Sequence, residues 1–123
     1  MSATVLVCDD ELMLRTLVRA ALGRSYEVFE ARDGEEGIAM TRRHRPDVVV
    51  LDMIMPGRSG LDFLGDLRAD PELSGTRVVM LTARTQKIDR EAAMGAGADR
   101  FLPKPFSPSA LSAIVEEVLA DTR

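Results

Sequence analysis

The segment Asp47-Val48-Val49-Val50-Leu51-Asp52 holds an unbroken run of apolar residues between two aspartates. A strand that is apolar at every position has both of its faces covered, which is typical of parallel sheets enclosed by helices. The segment therefore predicts a central, buried strand over residues 47–52, with the carboxylate of Asp52 at its carboxyl end.

Three other apolar runs also lead directly into polar or charged residues. These runs are residues 5–8, 78–81 and 101–103, and the residues that follow them are Asp9 and Asp10, Thr82, and Lys104. In open α/β sheets the carboxyl ends of the strands lie along one edge, where ligands bind. We therefore expect these side chains to meet that of Asp52 at one edge.

Five predicted strands alternate with five predicted helices. The strands cover residues 4–8, 26–30, 47–52, 77–82 and 100–103. The helices cover residues 12–22, 34–44 (capped by Asp33), 60–69 and 86–96, with a last helix that Ser107 caps and that begins at Pro108. Such alternation predicts one α/β domain with a parallel sheet and right-handed crossovers.

The composition is that of a single domain. The chain has 123 residues, of which 46% are hydrophobic, and a formal net charge of −4. The negative charge argues against a general nucleic-acid surface, and the single cysteine, Cys8, excludes an intrachain disulfide and is expected to be buried. No apolar run could span a bilayer, and the N-terminus lacks a signal-peptide pattern. We therefore expect a cytoplasmic protein with no membrane partner and no direct nucleic-acid partner.

Three carboxylates at one edge repel each other. Two unit charges ~4 Å apart interact with on the order of 4 kcal/mol at an effective dielectric constant of about 20. Such a cluster takes up protons or binds a divalent cation, and oxygen ligands favour Mg²⁺ over zinc or copper. The residues alone thus predict that Asp9, Asp10 and Asp52 either take up protons or bind a divalent cation, with Mg²⁺ the favoured metal.

Short motifs follow one another along the chain in a specific order. They are Val7-Cys8-Asp9-Asp10-Glu11, Asp52-Met53-Ile54-Met55-Pro56 with Gly60, Leu81-Thr82-Ala83-Arg84, Gly97-Ala98-Asp99 and Lys104-Pro105-Phe106. In this order and at these spacings they resemble the receiver domain of bacterial two-component response regulators. The resemblance covers nearly the whole chain. It implies a doubly wound, flavodoxin-like sheet of order 2-1-3-4-5 with five flanking helices, and one receiver domain over residues 1–123 with no output domain.

The resemblance implies that Asp52 accepts a phosphoryl group in a reaction that depends on Mg²⁺, with Mn²⁺ as a substitute. Asp10 would ligate the metal directly, and Asp9 would act mainly through water. The carboxylate of Asp52 and the backbone carbonyl of Ile54 would complete the protein ligands.

The resemblance also implies roles for residues around the phosphoryl group. Lys104 would pair with a phosphoryl oxygen, and Thr82 would donate a hydrogen bond to another. The backbone of Met53 and Ala83 would contact the same group. Movement of Thr82 followed by rotation of Phe101 would then switch the domain between two states.

The implied phosphodonor is a sensor histidine kinase or a histidine phosphotransfer protein. It would dock on the first helix and on the loop after the fifth strand, through Leu12, Arg15, Pro105 and Phe106. The Lys104-Pro105 peptide bond in that loop is a candidate for the cis form.

The fourth helix, fifth strand and fifth helix form the expected output face. Arg90 and Asp99 match the ion-pair pattern through which the DNA-binding subfamily dimerises, whereas Ala110, Ile114 and Arg100 replace its charged partners. We therefore expect a monomer or weak dimer whose output face binds a different, unidentified protein.

Two other functions fit parts of the pattern. A protein-binding module that kept the fold but lost phosphorylation is one, although all five site residues are present. A phosphatase with an aspartyl-phosphate intermediate is the other, and it needs a second aspartate two residues after the nucleophile, where this chain has Ile54. We therefore expect a regulator that catalyses only its own phosphorylation and slow dephosphorylation, and not an enzyme.

Overall fold

Over the residues that it describes, 3–83 and 87–120, the computed structural model contains five strands and five helices that alternate along the chain. For residues 83 and 87–90 the backbone alone is described. The strands are β1 (Thr4–Cys8), β2 (Glu27–Ala31), β3 (Val48–Asp52), β4 (Arg77–Ala83) and β5 (Arg100–Lys104). The helices are α1 (Leu12–Leu22), α2 (Gly34–His44), α3 (Gly60–Ala69), α4 (Lys87–Gly95) and α5 (Pro108–Ala120).

The strands form one parallel sheet of order β2-β1-β3-β4-β5. In the pairing of β3 with β4, Asp52 stands opposite Leu81, and in the pairing of β4 with β5, Ala83 stands opposite Lys104. These registers bring the carboxyl ends of the central strands and of β5 to one edge. The predicted sheet order and strand direction are confirmed.

Alternate side chains of β3 enter two separate cores. Val49 and Leu51 pack with residues of α2, α3 and α4 on one face of the sheet. Val48 and Val50 pack with residues of α1 and α5 on the other face. Both faces of the strand are therefore buried, which is the physical reason for its unbroken apolar run.

Side-chain caps fix the starts of two helices where the sequence predicted them. Asp33 Oδ1 accepts a hydrogen bond from the N–H of Glu36 at 2.8 Å, at the start of α2. Ser107 Oγ accepts one from the N–H of Ala110 at 3.1 Å, at the start of α5. The Glu36 carboxylate accepts from the N–H of Arg32 at 2.9 Å, which ties the end of β2 to the same turn.

Several element ends differ from prediction by one residue. β2 begins one residue later, because the N–H of Tyr26 donates to the carbonyl of Leu22 at 2.9 Å and so belongs to the turn after α1. β4 and β5 each run one residue further, because Ala83 and Lys104 pair with each other. β3 begins one residue later and α4 ends one residue earlier, whereas Gln86, where α4 was predicted to begin, lies outside the described residues.

The helices are short, from 9 residues in α4 to 13 residues in α5. No helix in the described part of the chain is long and apolar enough to cross a membrane.

Cys8 ends β1 in the interior of the molecule, as predicted. Its side chain is fully buried, and its Sγ lies 3.3 Å from the carbonyl oxygen of Asp33 and 3.5 Å from the sulfur of Met55. Burial raises the pKa of this thiol, and nearby carboxylates, Asp33 first, raise it further. Cys8 is therefore a packing residue and not a nucleophile.

Candidate functional site

Three carboxylates meet where β1 and β3 end. Asp9 and Asp10 follow β1, Asp52 is the last residue of β3, and each offers an oxygen within 4.8 Å of the others. Asp9 and Asp52 are buried, whereas Asp10 is exposed. The predicted cluster is thus assembled with two carboxylates inside the edge of the sheet and one facing solvent.

Each polar group of Asp9 has a partner. Its N–H donates to the carbonyl of Ala31 at 3.1 Å, and its Oδ1 accepts from the N–H of Glu11 at 2.9 Å. Its Oδ2 accepts from Lys104 Nζ at 3.2 Å, and its carbonyl oxygen accepts from Arg15 Nη1 at 2.8 Å. Asp9 is therefore fixed in orientation as well as in position.

The Lys104 ammonium lies between the two buried carboxylates. Its Nζ is 3.2 Å from Asp9 Oδ2 and 3.3 Å from Asp52 Oδ1, with Glu11 Oε1 at 3.8 Å. Burial lowers the pKa of Lys104, but the two aspartates raise it by more, so that the net shift is upward and the amine stays charged. This cation offsets part of the negative charge of the cluster.

Among the described residues, Lys104 does not offset all of the negative charge of the cluster. Burial, with a smaller contribution from Asp9, raises the pKa of Asp52 to about 6, although Lys104 and the N–H of Ile54 oppose the shift. Burial also raises the pKa of Asp9, against the hydrogen bond from Glu11 and the charge of Lys104. The charged forms of both aspartates are thus destabilised, and a bound cation would relieve this.

The donor set fits a hard divalent cation. Neither histidine nor cysteine lines the open pocket beside the cluster, whose described lining is Asp10, Glu11, Asp52, Met53, Ile54, Leu61 and Lys104. Carboxylate oxygens are the ligands that Mg²⁺ prefers, and Mn²⁺ accepts the same set. The cluster and its unbalanced charge therefore fit the predicted Mg²⁺, with Mn²⁺ as a substitute.

The loop after β3 returns onto the backbone of Asp52 at Gly60. The N–H of Gly60 donates to the carbonyl of Met53 at 3.0 Å, and a Cβ at Gly60 would stand 2.3 Å from the carbonyl oxygen of Asp52. Only glycine permits this close approach. The loop holds Ile54 beside the carboxylate, with 71% of that residue exposed to solvent.

One expected backbone contact lies elsewhere. The N–H of Met53, expected to face a phosphoryl group, donates instead to the carbonyl of Leu81 at 3.0 Å and extends the ladder between β3 and β4. The N–H directed at Asp52 Oδ1, at 3.3 Å, belongs to the next residue, Ile54. The sequence did not predict this difference, because the ladder between β3 and β4 extends by one residue and the N–H of Met53 is used in that ladder.

The residues of the expected switch lie on neighbouring strands. Thr82 is fully buried near the end of β4 and pairs with Pro103, and Ala83 follows it opposite Lys104. Phe101 lies deeper in β5, where its half-buried ring packs on the core under α2, α3 and α4. The register of β4 and β5 therefore places Thr82 and Ala83 at the edge of the sheet that carries Asp9, Asp10 and Asp52, which we call the acidic edge. Phe101 lies farther from this edge along β5.

Apolar side chains stand exposed at the start of α1 and after β5. Leu12 is 65% exposed and Met13 is 83% exposed. In the loop after β5, Pro105 is exposed, Phe106 is half-buried, and the Lys104-Pro105 bond is cis. Met13 is an exposed apolar residue that the sequence did not reveal, because a methionine in the first turn of an amphipathic helix carries no signal of exposure.

Arg15, the remaining residue expected on the docking surface, is buried. It is 8% exposed, its Nη1 donates to the carbonyl oxygen of Asp9, and its Nε donates to Glu30 Oε1 at 3.1 Å. The guanidinium therefore faces the inside of the acidic edge. This corrects the expectation that Arg15 lines an exposed docking surface.

Charged residues at the start of β5 pair within the chain. Asp99 Oδ2 accepts from Arg68 Nη2 at 3.2 Å, and Arg100 Nε donates to Glu117 Oε1 at 3.0 Å. The side chain of Arg90, named with Asp99 in the expected dimer pattern, lies outside the described residues. Intrachain ion pairs thus occupy part of the expected output face.

Two curated relatives are regulators about twice as long as the matched region. The chain is 45% identical over 121 residues to the probable transcriptional regulatory protein TcrX of Mycobacterium tuberculosis, covering 98% of this chain and 48% of TcrX. It is 38% identical over 116 residues to the DNA-binding response regulator MtrA of the same organism, covering 94% of this chain and 50% of MtrA. The chain thus spans about half the length of these relatives.

Solved structures match over nearly their whole length. Chemotaxis protein CheY4 of Vibrio cholerae has a TM-score of 0.90 at 33% identity, with 96% of this chain and 99% of that chain covered. The BeF3-activated DrrB receiver domain has a TM-score of 0.89 at 27% identity, with 98% and 100% covered. The chain therefore has the CheY-like, flavodoxin type of fold that its strand order indicated.

The family model of the response regulator receiver domain matches residues 5–116. That range includes Asp9, Asp10, Asp52, Lys104 and nearly all of both cores of the sheet. Because one family model accounts for the fold and for the residues gathered at its edge, the chain belongs to the response regulator receiver domains of two-component signal transduction.

Proposed function

We propose that the chain accepts a phosphoryl group on Asp52 from a phosphohistidine, carried by a sensor histidine kinase or a histidine phosphotransfer protein. The observation that carries the proposal is the Lys104 ammonium, which lies 3.2 Å and 3.3 Å from the carboxylates of Asp9 and Asp52. An acceptor of phosphoryl groups needs offsetting positive charge at its nucleophile, because negative charge arrives with the phosphoryl group.

The transfer forms one bond and breaks one. An oxygen of Asp52 attacks phosphorus, the phosphorus–nitrogen bond of the phosphohistidine breaks, and the released imidazole takes up a proton. The product is an acyl phosphate on Asp52. A pKa of about 6 leaves this carboxylate mostly ionised at neutral pH, so that it is available as a nucleophile.

The neighbouring residues bind and orient the phosphoryl group. Bound Mg²⁺ would neutralise charge on its oxygens. Asp9, Asp10 and Asp52, with the carbonyl of Ile54, are the ligands that we propose for the ion. Lys104 would pair with a phosphoryl oxygen as a compact charge.

Hydrogen bonds to the same group would come from two strands. The hydroxyl of Thr82 and the N–H groups of Ala83 and Ile54 would donate to its oxygens. Movement of Thr82 would then be coupled to Phe101 on the adjacent strand, which makes β4 and β5 the link between the acceptor site and the output face.

The output face, α4-β5-α5, would bind a partner when Asp52 is phosphorylated. Ile114 is half-buried on α5, next to exposed Ala113, where the DNA-binding subfamily has charged dimer contacts. This supports binding of a different protein, with the chain itself a monomer or weak dimer.

The names of TcrX and MtrA favour a transcriptional output, which in those two proteins would use a region outside the one that matches this chain.

Incubation with Mg²⁺ and acetyl phosphate, followed by intact-mass measurement, tests the proposal. Wild-type protein should gain the mass of one phosphoryl group, and EDTA should prevent the gain. Asp52→Asn should gain none and keep its circular dichroism spectrum. Labelling of Asp52→Asn at the wild-type yield would overturn the assignment. Failure of the wild type to label, with Mg²⁺ still bound, would favour a protein-binding module that has lost phosphorylation.

A further inference from the structure

We propose that Arg15 is a positioning residue for Asp10. It binds the carbonyl of the Asp9–Asp10 peptide and thereby sets the direction of the exposed carboxylate at the metal site. The inference rests on the proposed function, because Asp10 is taken as a ligand of Mg²⁺.

Arg15 reaches the acidic edge from inside the molecule. It lies on α1, is buried, and donates from Nη1 to the carbonyl oxygen of Asp9 at 2.8 Å. A guanidinium is a planar and rigid donor, so this contact restrains the orientation of the peptide plane as well as its position. A docking residue, by contrast, would present its charged group to solvent.

The peptide that Arg15 holds is the one that aims Asp10. The N–H and the side chain of Asp9 are tied to Ala31, Glu11 and Lys104, which leaves its carbonyl as the group that Arg15 restrains. The side chain of Asp10 is exposed and forms no hydrogen bond or ion pair with any described residue. No side-chain contact among the described residues fixes its direction, so the backbone that carries it, including the peptide plane held by Arg15, determines where its rotamers can place the carboxylate.

The charge of Arg15 is partly offset within the same network. Its Nε donates to Glu30 Oε1 at 3.1 Å, and Arg19 Nε donates to the other oxygen, Oε2, at 2.8 Å. An unpaired cation beside three carboxylates would compete with a metal ion. Pairing with Glu30, which Arg19 shares, lets Arg15 supply N–H donors to the site while part of its charge is offset.

Three possible roles of Arg15 give different results when its guanidinium is removed. A residue that acts only as a nearby cation weakens Mg²⁺ binding, so its removal would strengthen that binding. A docking residue would leave Mg²⁺ binding unchanged and slow transfer from a kinase alone. Removal of a positioning residue would weaken Mg²⁺ binding, and phosphorylation by every donor would then need a higher Mg²⁺ concentration.

Calorimetric titration of the full chain with Mg²⁺ alone decides between them. Arg15→Met should raise the dissociation constant by about tenfold, as the loss of a group that orients a metal ligand commonly does. Arg15→Lys keeps the charge without the planar donor and should fall between wild type and Arg15→Met. Arg19→Met is the matched control, because it removes the other partner of Glu30 without touching Asp9, and its dissociation constant should stay within about twofold of wild type.

Labelling supplies a second readout. Arg15→Met should need about tenfold more Mg²⁺ for half-maximal labelling by acetyl phosphate and should approach the wild-type rate when Mg²⁺ saturates the site. A folded Arg15→Met that binds Mg²⁺ as tightly as wild type, or more tightly, would overturn the inference. If Arg15→Met does not fold, Arg15→Lys decides by the same criterion. A wild type that binds Mg²⁺ but is never labelled would instead count against the proposed function.

Discussion

At the scale of single residues, we expect the carboxylate of Asp52 to lower the stability of the folded protein. The pKa of Asp52 is raised from 3.8 to about 6 by burial and by Asp9, so at neutral pH its charged form is less favourable in the folded chain than in the unfolded chain. Asp52→Asn removes that charge while keeping the shape of the side chain. We expect the variant to be more stable than wild type in EDTA, by about 3 kcal/mol at most.

Urea denaturation followed by circular dichroism in EDTA and in Mg²⁺ measures this effect. Saturating Mg²⁺ should narrow the difference in unfolding free energy between Asp52→Asn and wild type, because the ion stabilises the native wild type through its carboxylates. Glu116→Gln, which removes an exposed carboxylate on α5, controls for the change in net charge and should leave the stability nearly unchanged. A less stable Asp52→Asn in EDTA would contradict the electrostatic account.

Site residues at strand ends were predictable, and those that depend on packing were not. Asp9, Asp10, Asp52 and Lys104 each follow an apolar run, and the parallel sheet alone brings them together. The burial of Arg15 could not be read in the same way, because it depends on the Asp9 carbonyl and on Glu30 of the neighbouring strand, which only the folded chain brings within reach.

At the scale of secondary structure elements, the first turn of α1 and the loop after β5 form the accessible rim of the site. Leu12 is largely exposed there, and Pro105 and Phe106 lie in the loop. We expect Leu12→Ala to slow phosphoryl transfer from a histidine kinase by on the order of tenfold, as loss of one apolar interface anchor does. Labelling by acetyl phosphate, which needs no docking, should be unchanged.

A panel of purified histidine kinases is first assayed for transfer of radiolabelled phosphate to the wild-type chain. The kinase with the fastest transfer is then used for the variants. Met94→Ala is the matched control, because Met94 is also an exposed apolar residue but lies on α4, on the opposite face of the sheet from α1. Equal slowing of kinase transfer and acetyl phosphate labelling in Leu12→Ala would show that Leu12 supports the fold or the site. Equal effects of Leu12→Ala and Met94→Ala on kinase transfer would rule out a specific docking role.

Element order followed from sequence, whereas element ends depended on neighbours. Apolar runs predicted four of the five strands, because both faces of the sheet are covered there, whereas the edge strand β2 contains Glu27 and Glu30 and is not an apolar run. Tyr26 was predicted within β2, yet its N–H closes the turn after α1. Lys104 was predicted just after β5, yet it pairs with Ala83 and belongs to the strand. The last residue of a strand is set by its hydrogen-bond partner on the neighbouring strand, and that partner is known only once the sheet has assembled.

At the scale of the whole molecule, the topology could be predicted because each local pattern agrees with it. The caps at Asp33 and Ser107, the apolar run of β3 and the alternation of elements all favour the same doubly wound sheet. The two cores share β3, so neither face of the sheet can be exposed without disturbing the other. We therefore expect the domain to unfold as one cooperative unit.

The buried thiol at the end of β1 makes that cooperativity measurable by chemistry alone. The Cys8 side chain packs under α2 and α3 in the core on that face of the sheet, so a disulfide reagent can reach it only after this packing has opened. We expect native protein to resist such a reagent and one thiol equivalent to react in urea. The logarithm of the labelling rate should rise with urea along the slope of global unfolding, and Mg²⁺ should slow it. Fast labelling that is independent of urea would instead reveal a local opening. The single thiol can thus report how often the native chain unfolds as a whole, and the measurement needs no dye or tag.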